Sequence, residues 1–207
     1  MIKRFFVFLA VILAGCKPAG ISTNWVEPKA PETFVAKFET SRGDVEIEIN
    51  RSWSPLAVDR LYQLLEHRFY DHTLFYRVVP GFVAQFGNND TLVAGIWDKR
   101  KVPDEPVKQS NVKGTLSFAR AGKDTRGNHL FINLKDNPKL DTINYNGVVG
   151  FPVIGNVIKG MDAVETLYGG YSNTTMTVSD TLSANKEQFL EKFPKLDSIR
   201  QAYVIKH

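Results

Sequence analysis

Phe75-Tyr-Arg-Val-Val-Pro-Gly-Phe-Val-Ala-Gln-Phe86 (FYRVVPGFVAQF) places one permanent cation and one amide in a run that otherwise suits a protein core. Ten of its twelve residues need no water, and only Arg77 and Gln85 ask for polar partners. Pro80-Gly81 breaks the stretch into two strands. Arg77 and Gln85 are eight residues apart and share the parity of an alternating strand, but the break means that parity alone does not bring them together.

Working outward, Phe34 to Thr40 and Asp44 to Asn50 are expected as a hairpin joined at Ser41-Arg-Gly43, because Val45-Glu-Ile-Glu-Ile49 alternates strictly. Ser54-Pro55 reads as an N-cap followed by proline in the first helical turn, opening an amphipathic helix to about His67. Short apolar runs follow at 74–79, 82–86, 115–119, 130–133, 148–151 and 153–158, with a second helix over 161–167. These elements predict a mainly β fold, a closed eight-stranded antiparallel barrel capped by two helices, since closure removes exposed edge strands. Residues 87–113 read as a long polar loop, of the kind that is usually functional or mobile. Residues 171–183 read as a linker, then a helix near 185–192 and a last strand over 198–205. The expected units are a leader (1–15), a tether (16–33), a domain (34–170) and a C-terminal helical extension packed on it (171–207).

The leader is expected from Met1-Ile-Lys-Arg4, the apolar run Phe5 to Leu13 and Leu13-Ala-Gly-Cys16. The apolar run is shorter than the roughly 20 residues that a spanning helix needs. Leu-Ala-Gly-Cys resembles the lipobox of bacterial lipoproteins, which implies cleavage before Cys16 and a lipid on that residue. The alternatives are a free cysteine behind an ordinary signal, or a short anchor. Lys17 in place of aspartate points to the outer membrane, facing the periplasm. Cys16 is the only cysteine, so no intrachain disulfide can form and the core must hold the domain together. The net charge of +4 would fall to +2 without Lys3 and Arg4. Its cations are scattered, which argues against nucleic acid as a partner. A monomer is expected.

Chemical motifs are sparse. There is no nucleophile elbow, phosphate loop, dinucleotide fingerprint or zinc-protease motif. The four histidines, at 67, 72, 129 and 207, lack zinc-ligand spacing. No metal or cofactor is expected, and no activated nucleophile for a hydrolase can be named. What remains is the opening stretch and Gly114-Thr-Leu-Ser-Phe-Ala-Arg-Ala-Gly122, continued by Gly127-Asn-His-Leu-Phe-Ile-Asn133. Together they resemble the two signatures of the cyclophilin-type peptidyl-prolyl cis–trans isomerases, F-x-R-x-x-P-x-F-x-x-Q and the motif around L-S-F-A. Asp136 to Asp141, Gly155 to Glu165 and Phe189 to Asp197 resemble a bacterial branch of that family.

The resemblance implies an enzyme acting on proline-containing polypeptides without a covalent intermediate. It gives Arg77 the role of a donor to the prolyl nitrogen, and Gln85 a contact to substrate or to Arg77. Phe82, Val83, Phe131 and Leu140 would line the proline slot, and the Ala119-Arg120 backbone would pair with the peptide. Taken singly, Phe82, Phe131 and Leu140 would each suit an ordinary core. Arg120, His129 and the rim depart from the family pattern. His129 stands where glutamine is usual, and Lys139 and Phe151 replace a tryptophan and a histidine. These departures keep open a scaffold that holds proline segments without useful turnover.

Overall fold

The computed structural model describes residues 28–89 and 91–206. Cys16, the leader and most of the tether lie outside the described residues. Strands β1 (Thr33–Thr40) and β2 (Gly43–Asn50) form the expected hairpin in full register. Val45, Ile47 and Ile49 are buried while Glu46 and Glu48 face outward, as alternation requires.

Helix α1 (Pro55–Glu66) buries Ala57, Val58, Leu61, Leu64 and Leu65 against the sheet. Ser54 does not cap it with its side chain. Glu105 does so instead: its carboxylate accepts from Leu56 N–H (2.9 Å) and Ala57 N–H (3.1 Å). A negative charge there complements the positive helix terminus. The fully buried Arg126 bonds the same carboxylate at 3.0 Å. The segment expected as one long loop is thus pinned, and within it lies α2 (Thr91–Asp98), anchored by the buried Trp97.

The remaining strands are β3 (Arg77–Val79), β4 (Val83–Phe86), β5 (Thr115–Phe118), β6 (Leu130–Asn133) and β9 (Val153–Lys159), with β10 (Ile199–Lys206) at the end of the chain. They assemble antiparallel in the order β10-β1-β2-β9-β5-β6-β4-β3. The expected closed barrel is corrected: the ladder runs from β10 to β3 and stops, giving a half-barrel. The two ends meet outside the ladder, through an isolated bridge, Leu74 to Ser198, and backbone bonds from Phe75 N–H to the Asp197 carbonyl (2.9 Å), Ile199 N–H to the Thr73 carbonyl (2.8 Å) and His72 N–H to the Arg200 carbonyl (3.3 Å). The reason lies in the side chains that precede β3. Leu74 and Tyr76 leave the main core and enter a second apolar cluster with Leu182, Phe189 and Phe193.

That second cluster belongs to the C-terminal segment. Residues 171–183, read as a linker, form a 3-10 helix (Thr174–Val178) and α5 (Ser179–Ala184). Helix α6 (Lys186–Lys192) follows, with Asn185 accepting from Gln188 N–H at 2.9 Å. The same segment contributes β10, which pairs with β1 along its length. Two more short strands, β7 (Asn144–Tyr145) and β8 (Val148–Val149), form a separate ribbon, so the run expected as one strand over 148–151 ends at Val149. Helices α3 (Lys139–Thr142) and α4 (Met161–Glu165) complete the described elements, and α4 covers the core with Ala163 and Val164.

Candidate active site

The opening stretch folds as a hairpin. Val79 and Phe82 close its turn through a 2.9 Å backbone bond, and Gly81 takes a φ of 67°, which is natural for glycine. Arg77 thereby stands directly opposite Gln85. Gln85 in turn faces Phe131 on β6, and Phe131 faces Ser117 on β5. Opposed residues of antiparallel strands share a face, so Arg77, Gln85, Phe131 and Ser117 form one row across four strands. Val83 lies on the same face, two residues before Gln85, and is buried.

Arg77 Nη1 donates to Gln85 Oε1 at 3.0 Å, and its Nε donates to Asn173 Oδ1 at 2.8 Å. Its guanidinium lies 5.9 Å from the centre of the Phe82 ring. Partial burial lowers the Arg77 pKa from its ordinary high value, and the group remains a cation at neutral pH. Burial pushes the Tyr76 phenol up and keeps it protonated, with Arg77 and Gln85 opposing the shift by smaller amounts. Tyr76 reaches His129 Nδ1 at 3.0 Å. Burial lowers the His129 pKa to about 4, so the ring is neutral around pH 7. With Tyr76 donating to Nδ1, the imidazole proton resides on Nε2. Two hydrogen-bonded pairs, Arg77–Gln85 and Tyr76–His129, thus follow one another from the adjacent residues Tyr76 and Arg77. His129, expected at the substrate face, is instead committed to Tyr76.

The apolar side of the groove is built around Phe151. Its ring meets Phe131 edge-on at 5.8 Å and Tyr145 at 6.1 Å. Its backbone N–H donates to the Leu140 carbonyl at 2.8 Å, which draws Leu140 to the same rim. Arg120 stacks its guanidinium 4.4 Å from the Phe151 ring and bonds the Val148 carbonyl at 3.2 Å. Its side chain is therefore a buttress behind the rim, 8% exposed. Ala119 N–H donates to the His129 carbonyl at 2.9 Å and is already used.

Behind the groove runs a chain of three buried asparagines that the sequence did not reveal. Asn137 Nδ2 donates to the Phe82 carbonyl (3.0 Å) and to Asn133 Oδ1 (2.8 Å). Asn133 Nδ2 donates to Asn111 Oδ1 at 3.1 Å, and Asn111 Nδ2 donates to the Phe151 carbonyl at 2.8 Å. The chain ties the Phe82 side of the slot to its Phe151 side. Tyr76, Tyr145 and Asn173 were also missed. Tyr76 reads as one more apolar residue of its run, and Asn173 sits in a segment without periodicity. The one available signal for Asn173 was the aromatic spacing of Tyr168, Tyr171 and Phe193, which pack in series at 4.9 and 5.0 Å.

Residues 35–185 match the family described as cyclophilin type peptidyl-prolyl cis-trans isomerase/CLD. A peptidyl-prolyl cis-trans isomerase of Acinetobacter baylyi is 31% identical over 174 residues, covering 81% of this chain and 82% of that protein. A probable peptidyl-prolyl cis-trans isomerase of Brucella abortus is 34% identical over 178 residues, covering 79% and 87%. The same fold occurs in a cyclophilin type isomerase of Cryptosporidium parvum, with a TM-score of 0.60 at 20% identity over 84% of this chain and 99% of that one. A structure of that protein in the presence of the dipeptide Ala-Pro gives 0.59 at 21% identity, with the same coverage. The chain belongs to the cyclophilin-type peptidyl-prolyl cis–trans isomerase family.

Proposed function

We propose that this protein isomerises Xaa–Pro bonds of exported or unfolded polypeptides, with Arg77 as the donor that stabilises the twisted bond. The observation that carries the assignment of Arg77 is its position: a cation held on Gln85, over Phe82, in the same row as Phe131. Rotation about a prolyl bond must break amide resonance, a barrier of about 18–20 kcal/mol. The uncatalysed step takes about 10–100 s. Reaching milliseconds requires roughly 5–6 kcal/mol of binding that is felt only at the transition state.

The groove supplies that difference with its own residues. In the twisted state the prolyl nitrogen regains a basic lone pair. A fixed guanidinium donates to it more strongly than to the planar amide. Phe82, Val83, Phe131, Leu140 and Phe151 hold the pyrrolidine ring out of water. Tyr145 stands at the exposed rim, within electrostatic reach of Arg77. No bond is made or cut, so no nucleophile or general base is required.

The location is part of the same reading. A lipid on Cys16 would tether a monomeric domain to the outer membrane, facing the periplasm, within the lipoprotein branch that the leader resembles. The decisive experiment follows cis–trans exchange of a proline-containing tetrapeptide by NMR, with Arg77→Ala as the comparison. Wild-type acceleration that Arg77→Ala reduces about 100-fold or more is the expected result. A rate unchanged by Arg77→Ala would remove the assignment of Arg77. Binding without any exchange would leave a scaffold that holds proline segments.

A further inference from the structure

The C-terminal segment reaches into the groove at one atom. Asn173 Oδ1 accepts the Nε–H of Arg77 at 2.8 Å, across 96 residues of sequence. We infer that Asn173 is a positioning residue for Arg77, and that residues 168–178 form a strap whose task is to deliver it. This inference rests on the reading of Arg77 as the catalytic donor.

The strap is fixed before and after Asn173. Before it, the Tyr168 N–H donates to Asp197 Oδ2 at 2.7 Å. Asp197 is buried, and its other oxygen accepts from Ser41 Oγ and Arg42 Nε, each at 2.7 Å. Gly169 then crosses the β3–β4 turn so closely that a side chain there would run into the Pro80 ring. Tyr171 packs between Tyr168 and Phe193. After Asn173, Thr175 is 1% exposed, and Leu182 enters the cluster that also holds Tyr76. Asn173 itself is exposed, as are Thr174, Met176 and Thr177, and the segment is held through Tyr168, Tyr171 and the buried Thr175.

The chemistry follows from the shape of guanidinium, which is planar with donors in fixed directions. One acceptor leaves such a group free to pivot, whereas two acceptors on different nitrogens fix its plane. Gln85 takes Nη1 and Asn173 takes Nε. Among the described residues Nη2 has no protein acceptor, so it remains available to the prolyl nitrogen. A misplacement of about 1 Å in such a group can cost on the order of 100-fold in rate.

The test uses the mature chain in the exchange assay, together with the water-exchange rate of the Arg77 Nε–H signal in NMR. Asn173→Leu is expected to lower kcat about tenfold with KM changed less than about twofold, and to expose the Nε–H to exchange. Asn173→Asp, which keeps an acceptor oxygen, is expected to recover most of the lost rate and the protection. In an Arg77→Ala background, Asn173→Leu should change nothing further. A wild-type rate in Asn173→Leu overturns the inference, as does an equal fold-loss in both backgrounds or a Leu variant whose Nε–H stays protected. An Asp variant as slow and as unprotected as Leu does the same. Arg77→Ala at the wild-type rate would instead remove the functional reading, and this inference with it.

Discussion

Arg77 and Gln85 are directly opposed across β3 and β4, with Nη1 donating to Oε1 at 3.0 Å. The hairpin turn at Pro80-Gly81-Phe82 creates this relationship. It makes Gln85 the inner acceptor that keeps the cation over the Phe82 ring.

Gln85→Leu should therefore cost activity without unfolding the protein. A hydrogen bond to a charged group contributes about 1.5–3 kcal/mol, so a loss of roughly 10- to 100-fold in kcat/KM is expected. Exchange spectroscopy gives the rate, and a melting curve confirms the fold. Unchanged kcat/KM would mean that Gln85 does not hold Arg77 in its working position.

His129 makes a prediction about pH. Its folded pKa is lowered to about 4, mainly by burial, with Asp98 raising it and Lys101 lowering it by smaller amounts. Unfolded histidine titrates near pH 6.5. The unfolded chain therefore takes up the proton first as pH falls. The His129 contribution to stability is complete above about pH 6.5 and is lost progressively down to about pH 4, by up to about 3 kcal/mol. His129→Gln should flatten this part of the stability profile in denaturant titrations. Activity should stay level from about pH 6.5 to 8 in both forms, since neither Arg77 nor Tyr76 changes charge there. A bell-shaped rate profile in that range would contradict a neutral His129.

Asn133 is the middle of the buried amide chain and is 0% exposed. Besides its bonds to Asn111 and Asn137, its Nδ2 meets Thr115 Oγ1 at 2.9 Å. Asn133→Leu removes one partner from each neighbouring amide and from Thr115, which should destabilise the domain by about 2–4 kcal/mol. For a domain of this size that is a drop in Tm of roughly 5–15 °C. A melting temperature within about 2 °C of wild type would show that the network is dispensable.

Cys16 is the test of location. Replacing it with serine should abolish incorporation of a labelled fatty acid and move the protein from the membrane fraction to the soluble one. The tetrapeptide rate of the soluble protein should be unchanged, because the groove is built entirely from residues beyond 70. Continued membrane recovery of Cys16→Ser would argue for a different anchor.

The sequence by itself determined the local elements and the chemical vocabulary. Alternation set β1 and β2, helical spacing set α1, and the spacing of Arg77, Phe82, Gln85 and Phe131 pointed to the family because those residues recur at fixed intervals in it. Three things were decided only in three dimensions. Closure was one: Leu74 and Tyr76 look like strand residues, yet they pack on Phe189 and Phe193, and the sheet stops as a half-barrel. The cap of α1 was another, since Glu105 lies about fifty residues away and no local rule connects it to Leu56. The surroundings of Arg77 were the third. Tyr76, Asn173 and the three asparagines act through hydrogen bonds between segments far apart in the chain. Local periodicity records which face of an element is buried, but it carries no record of which distant side chain satisfies a polar group on that face.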